Sequence, residues 1–252
     1  MEDQPVQSPL KKLKTEDEAS GENSPFHNKF LNYREELDKR NDTREQLVKL
    51  SRDVTIHSKR VIFSLLRKGV NKQNLVADAK AKISDIKLIF NQINQKLECQ
   101  DIYRFHRAIT PGIQEFIEAI SLLHYVETKT VISYEIVIST YFDLEDYQNF
   151  VTHLDYMLGV GDLTGELMRM GINSIGSGDY ETVNQLCAVM QEIYSNYSIF
   201  SKNFRELEKK ANVMKNSLTK IENACCNLKI RGSESSNRWL IDSLEAKDMI
   251  EE

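Results

Sequence analysis

The sequence predicts an all-α protein, a bundle of about seven helices, on three observations. Helix breakers are scarce: the 252 residues include 10 glycines and 4 prolines, and Pro5, Pro9 and Pro25 all fall within the first 25 positions. Both residue types are costly inside a helix, so their absence leaves room for long ones. Apolar residues recur at three- and four-residue intervals over most of the remainder, the spacing of one helical face. The few punctuation marks, Gly69, the run "GSGD" at 176–179 and Gly232, fall where those faces stop.

In chain order, residues 1–25 are polar and rich in Pro, Ser and Glu. They offer too little apolar surface to offset the entropy of ordering, which predicts a disordered tail. Lys11, Lys12 and Lys14 within it suit either a short nuclear-import signal or a solvated charge cluster. A helical domain is expected over 26–235. From Phe26 to Lys68 there is neither Gly nor Pro, and Phe30, Tyr33, Leu37, Leu47, Leu50, Val54, Val61 and Leu65 keep helical spacing with one gap. This predicts one very long helix, with Arg40 to Thr43 as the place where it would break. Between Lys39 and Lys72, ten Lys/Arg stand against three acids, a local net charge of +7 in a chain whose total is −5. That face reads equally as ordinary solvated surface or as a polyanion-binding surface, because phosphate contact needs only clustered cations.

A second helix is expected over 72–98, burying Leu75, Ala79, Ile83, Ile86, Ile89, Phe90, Ile93 and Leu97. A third, over 102–128, contains Pro111-Gly112, where a kink or a helix start is expected because proline removes a backbone donor. Residues 129–149 are rich in β-branched and aromatic side chains and give the weakest helical signal. Further helices are expected over 151–175, over 180–200 with Asp179 as its cap, and over 202–231. Residues 236–252 read as a short helix or an acidic tail.

Composition narrows the function classes. A total charge of −5 argues against an overall electrostatic footprint for nucleic acid. Cys99, Cys187, Cys225 and Cys226 contain no CxxC pair, so a zinc site of the usual spacing is not expected. They read as reduced thiols, with Cys225 and Cys226 in the core. No apolar run approaches the roughly 20 residues that span a bilayer, and the N-terminus is not of secretory type. A cytoplasmic and nuclear location without membrane contact is the expectation.

The chemistry lies in two acidic pairs. In "GIQEFIEAI" (112–120), Glu115 and Glu118 stand three apart in an apolar run, and in "DYMLGVGDLTGELMRMGINSIG" (155–176), Asp162 and Glu166 stand four apart among Met157, Leu158, Val160, Leu163, Leu167 and Met168. Either spacing puts both acids on one helix face. Should the helices meet, four carboxylates converge, and like charges out of water need a cation or protons to compensate. Oxygen donors suit Mg²⁺ or Mn²⁺ rather than zinc. A di-iron site of ferritin type needs Glu-x-x-His, and position 118 is Glu. Solvated acidic stripes satisfy the same spacing, so spacing alone leaves both readings open. Gly161 and Gly165 interrupt the second acidic helix at roughly 1 kcal/mol each, which calls for close helix approach or space for a ligand. His106, Arg107 and Arg169 are candidates to touch a phosphate, with packing or ion pairing as the equal alternative.

Four strings carry a family resemblance: "REQLVKLSRDVTIHSKRVIFSLLR" (44–67), "YRFHRAITPGIQEFIEAI" (103–120), "DYMLGVGDLTGELMRMGINSIGSGDY" (155–180) and "KIENACCNLKIRGSE" (220–234). In that order they resemble the translin family, in its factor X branch. The resemblance implies a translin-like fold of seven helices and a hetero-octamer with translin that binds single-stranded RNA, with single-stranded DNA as a further ligand. It implies a Mg²⁺-dependent endoribonuclease site on this chain, acting on silencing passenger strands or precursor-tRNA fragments. Carried over by position, the catalytic acids are Glu115, Glu118, Asp162 and Glu166, with Glu118, Asp162 and Glu166 as metal ligands. Two alternatives stand beside it: a non-catalytic nucleic-acid-binding scaffold for translin, and a helical nucleotide pyrophosphohydrolase, which also uses ExxE and a later acidic pair.

Overall fold

Helical periodicity carries through to the folded chain. The computed structural model describes residues 25–97, 102–142 and 150–231. Among them are seven helices and no strand: α1 (Pro25–Leu65), α2 (Lys72–Leu97), α3 (Ile102–Thr128), α4 (Tyr134–Tyr141), α5 (His153–Ser177), α6 (Tyr180–Ser201) and α7 (Arg205–Arg231). The tail expected over 1–25, apart from Pro25, lies outside the described residues with its Lys11, Lys12 and Lys14, as do Cys99 and the segment 236–252. No described helix is long and apolar enough to cross a membrane.

Two expectations about helix continuity are corrected. The first is the break at Arg40 to Thr43: α1 runs through it unbroken. Asn, Asp and Thr are poor helix formers rather than breakers, and Arg40 pairs with Glu36 one turn back. The chain nevertheless divides into two units beside this point, 1–42 and 43–252. In the first unit the apolar stripe of Phe26, Phe30, Tyr33 and Leu37 is exposed, with Phe26 and Phe30 ring centroids 4.8 Å apart. In the second, the continuing stripe of Leu47, Val54, Val61 and Leu65 is buried.

The second correction is at Pro111-Gly112. Helix α3 neither starts nor stops there. Pro111 faces outward, while Gly112 is buried against α1. The Ser51 hydroxyl accepts from the Gly112 N–H at 3.1 Å and donates to the Ile109 carbonyl at 3.2 Å. It thus serves backbone groups beside a residue that has no N–H of its own to give. A Cβ at position 112 would stand 2.7 Å from the Ser51 carbonyl oxygen, so glycine is what lets the two helices approach.

In the larger unit α5 is the hub, packing on α3, α6 and α7, while α2 packs on α3. Phe90 meets Phe116, Phe142 and Phe150 edge-on, with centroids 5.0, 5.1 and 5.7 Å away, an arrangement worth somewhat more than its buried area. The weakest stretch of the sequence yields the eight-residue α4, capped by Ser133. Helix α5 opens on a reciprocal capping box between Thr152 and Asp155 and closes on Gly178 at φ 78°. Asp179 caps α6 as expected. Cys225 is buried as expected, but Cys226 is exposed, so only one of the adjacent pair faces the core.

Candidate active site

The two acidic pairs come together because α3 and α5 lie against each other. A Cβ at Gly159 would stand 2.7 Å from the Ile117 side chain and 2.8 Å from the Gln114 carbonyl oxygen, so bare backbone sets the spacing of the two helices there. Glu115, Glu118, Asp162 and Glu166 then line one cavity of about 510 Å³, together with Lys59, Ile62 and Phe63 of α1 and Arg169 of α5.

Three of the four acids have their own cation. The Lys59 ammonium lies 3.7 Å from Glu115, the Arg169 guanidinium 3.5 Å from Glu166, and Lys210 of α7 donates to Asp162 at 2.6 Å. No ion pair reaches Glu118 among the described residues. Burial first, and then the charges of Asp162, Glu115 and Glu166, push the Glu118 carboxyl up to about 8, with Lys210 opposing. Burial also raises Glu115, against the pull of Lys59, and raises Glu166, against Arg169. With all groups ionised, four carboxylates face three cations, and that excess of negative charge disfavours the ionised form of Glu118. The buried Tyr197 hydroxyl has no hydrogen-bond partner among the described residues, and burial, then Asp162, raise its pKa as well.

The interrupting glycines separate into two kinds. A Cβ at Gly161 would stand 2.5 Å from the Lys210 Cγ, whereas one at Gly165 would meet nothing within 4 Å. Gly161 admits the lysine that holds Asp162. Gly165 faces open space between Asp162 and Glu166 in sequence.

The other candidates divide. Arg169 lines the cavity. Arg107 is exposed on α3. His106 is turned into a separate network, its Nε2 2.9 Å from the Asp155 carboxylate, which also accepts from Thr110, from Gln114 at 3.2 Å and from the Thr152 hydroxyl at 2.7 Å. Lys59, Phe63, Lys210 and Asp155 were not among the candidates. Thr152-x-x-Asp155 is a readable capping box, and Lys59 belongs to the basic face. Lys210 gives no local signal, since it reaches Asp162 across 48 positions of sequence. Among the described residues no three His, Cys, Asp or Glu side chains are arranged as they stand to hold a metal ion.

Fold and cavity together define an all-helical protein with a carboxylate-lined pocket whose acids are partly paired with cations. The sequence pattern of the Translin family matches residues 42–232, and the chain belongs to that family. It is 38% identical over 253 residues to the Translin-associated protein X of Pongo abelii, covering 91% of this chain and 87% of that one. It is 26% identical over 201 residues to the translin of Mus musculus, covering 76% and 87%. The solved structure described as an AfC3PO–duplex RNA complex superposes with a TM-score of 0.61 at 21% identity, covering 82% of this chain and all of that one, a likeness of fold.

Proposed function

We propose that this chain is the catalytic subunit of a complex with translin, a Mg²⁺-dependent endoribonuclease that cuts single-stranded or nicked RNA. One observation carries the reading: four acids from two packed helices share one cavity, and one of them, the largely buried Glu118, forms no ion pair among the described residues. An all-carboxylate donor set suits Mg²⁺ or Mn²⁺, and the excess negative charge is what a divalent cation would offset. Glu118, Asp162 and Glu166 would hold it, with Glu115 at the rim. A cation there supplies Lewis-acid charge to phosphate oxygens and makes a nearby water more acidic. Lys210 fixes Asp162, and Arg169, half-exposed at the mouth, is suited to a phosphate oxygen.

Relatives named for association with translin, and a structural neighbour described with duplex RNA, support partnership and RNA binding for this chain. A hetero-octamer, binding of single-stranded DNA, action on silencing passenger strands or precursor-tRNA fragments, and a cytoplasmic and nuclear location belong to the same proposal. The deciding experiment purifies the chain with translin and measures Mg²⁺-dependent cutting of single-stranded RNA. Glu118→Gln and Asp162→Asn should each abolish cleavage while the mass of the complex stays unchanged. Cutting at the wild-type rate by either variant would sink the site assignment.

One observation favours the second reading, a non-catalytic nucleic-acid-binding scaffold. Three of the acids already have protein cations, and among the described residues no three His, Cys, Asp or Glu donors close around an ion as they stand. That reading predicts no cleavage by the wild-type complex and salt-dependent RNA binding that the same substitutions leave unchanged.

A further inference from the structure

The basic face of α1 contributes Lys59 to the acidic cavity and continues beyond it. A second cavity of about 360 Å³ is lined by Lys59, Arg60, Phe63, Ser64 and Arg67 with Lys82 of α2. It shares Lys59 and Phe63 with the acidic cavity, so a basic half and an acidic half adjoin at these two side chains. Phe63 stands at their junction with 64% of its surface exposed. It follows Lys59 and precedes Arg67 by one turn each, so all three share a face. An exposed aromatic ring among cations suits an unpaired base, whose face stacks on the ring while its phosphates meet the cations. The acids near the basic half are few. Asp78 engages Lys82 and is felt by Arg67 through space, Lys59 leans toward Glu115, and Arg60 forms no ion pair among the described residues.

We infer that Phe63, flanked by Arg60 and Arg67, is a base-stacking platform that seats a single strand of nucleic acid beside the carboxylate cavity. Arg60, Arg67 and Lys82 hold phosphates on the basic side, and the strand enters the acidic half past Lys59. The inference rests on the nuclease reading for its direction, but not for its binding chemistry. A paired base hides its faces, so the platform favours single strands over duplex.

The test uses the full-length chain purified with translin, in EDTA so that cleavage plays no part. The probes are a fluorescein-labelled oligouridylate and a duplex of equal length. Phe63→Ala should weaken single-strand binding about fivefold or more, Phe63→Tyr should restore it, and duplex binding should be unchanged. Arg60→Gln should lower the slope of log affinity against log salt by about 0.7. With 4-thiouridine in the probe, ultraviolet crosslinking should mark the peptide that contains Phe63. Unchanged single-strand binding by Phe63→Ala together with no crosslink on α1 overturns the platform. So does a loss of complex mass in Phe63→Ala, which would make the ring an assembly contact. The two ideas fail separately: wild-type cleavage by Glu118→Gln removes the nuclease site and leaves these EDTA measurements standing.

Discussion

Helices α3 and α5 carry two acidic networks, two turns apart on the same pair of elements. In the first, Asp155 is 1% exposed and every direction is answered. Burial alone would raise its pKa, but hydrogen bonds from His106, Thr110 and Thr152 outweigh it and bring the carboxyl down to about 2. In the second, seven residues further along α5, Asp162 joins Glu115, Glu118 and Glu166 around a cavity, and burial drives Glu118 the other way, up to about 8. Burial thus has opposite results according to the number of donors each carboxylate receives. A satisfied buried acid is a structural fastener, and an under-satisfied cluster is free energy held at a site that a ligand can use.

The largest effect that tests this contrast is at the fastener. Asp155→Ala removes the capping box and leaves the Thr110 and His106 donors without their acceptor. A loss of about 3 kcal/mol is expected, or roughly 6–12 °C in Tm, read by a thermal melt. A loss below about 1 kcal/mol would break the comparison. The pH dependence sharpens it. Asp155, lowered from 3.8 to about 2, contributes stability that is present above 3.8 and lost as pH falls through 2. His106 is raised from 6.5, first by its hydrogen bond to Asp155 against burial, so its contribution is complete below 6.5 and lost as pH climbs through the folded value. The gap between wild type and Asp155→Ala should therefore be widest between about pH 4 and 6.5.

Next comes the cavity, where removing a charge should help the fold. An acid raised from 4.5 to about 8 binds more protons folded than unfolded, so stability falls as pH rises across that interval. Glu118→Gln keeps the shape and removes the ionisation. It should raise Tm by roughly 3 °C or more at pH 8 and by little at pH 5. Equal Tm values for variant and wild type at pH 8 would show that Glu118 is compensated in a way the ion pairs do not reveal.

The two networks also differ in how far they can be read from sequence. Thr152-x-x-Asp155 is local, and the pairings Glu115 with Glu118 and Asp162 with Glu166 follow from helical arithmetic, as do the long helices and the Asp179 cap. The meeting of the pairs is tertiary. It depends on Gly159 fitting against Ile117 and the Gln114 carbonyl, and a glycine in a helix announces close approach without naming the partner. Lys210 is invisible for the same reason. Pro111 misleads because α3 is held at this point by packing on another helix, with Ser51 bonding the Ile109 carbonyl and the Gly112 N–H from 60 residues before Pro111. The apolar stripe of α1 has one gap, between Leu37 and Leu47, and it falls where the exposed part gives way to the buried part, but spacing alone does not say which part is buried.

Gly165 gives the smallest and most selective test. Its added Cβ would touch nothing within 4 Å, and alanine is preferred to glycine in a helix interior by about 1 kcal/mol. Gly165→Ala should therefore stabilise α5 by up to about 1 kcal/mol, or roughly 2–4 °C. Conformational entropy gives no reason to keep glycine there, so the remaining reason is the space it leaves beside Asp162 and Glu166. If that space receives a phosphate or a cation, Gly165→Ala melts higher yet cleaves RNA more slowly, a split that no packing defect produces. If it melts higher and cleaves as wild type, the open volume has no functional role, and the contrast between the two networks rests on charge alone.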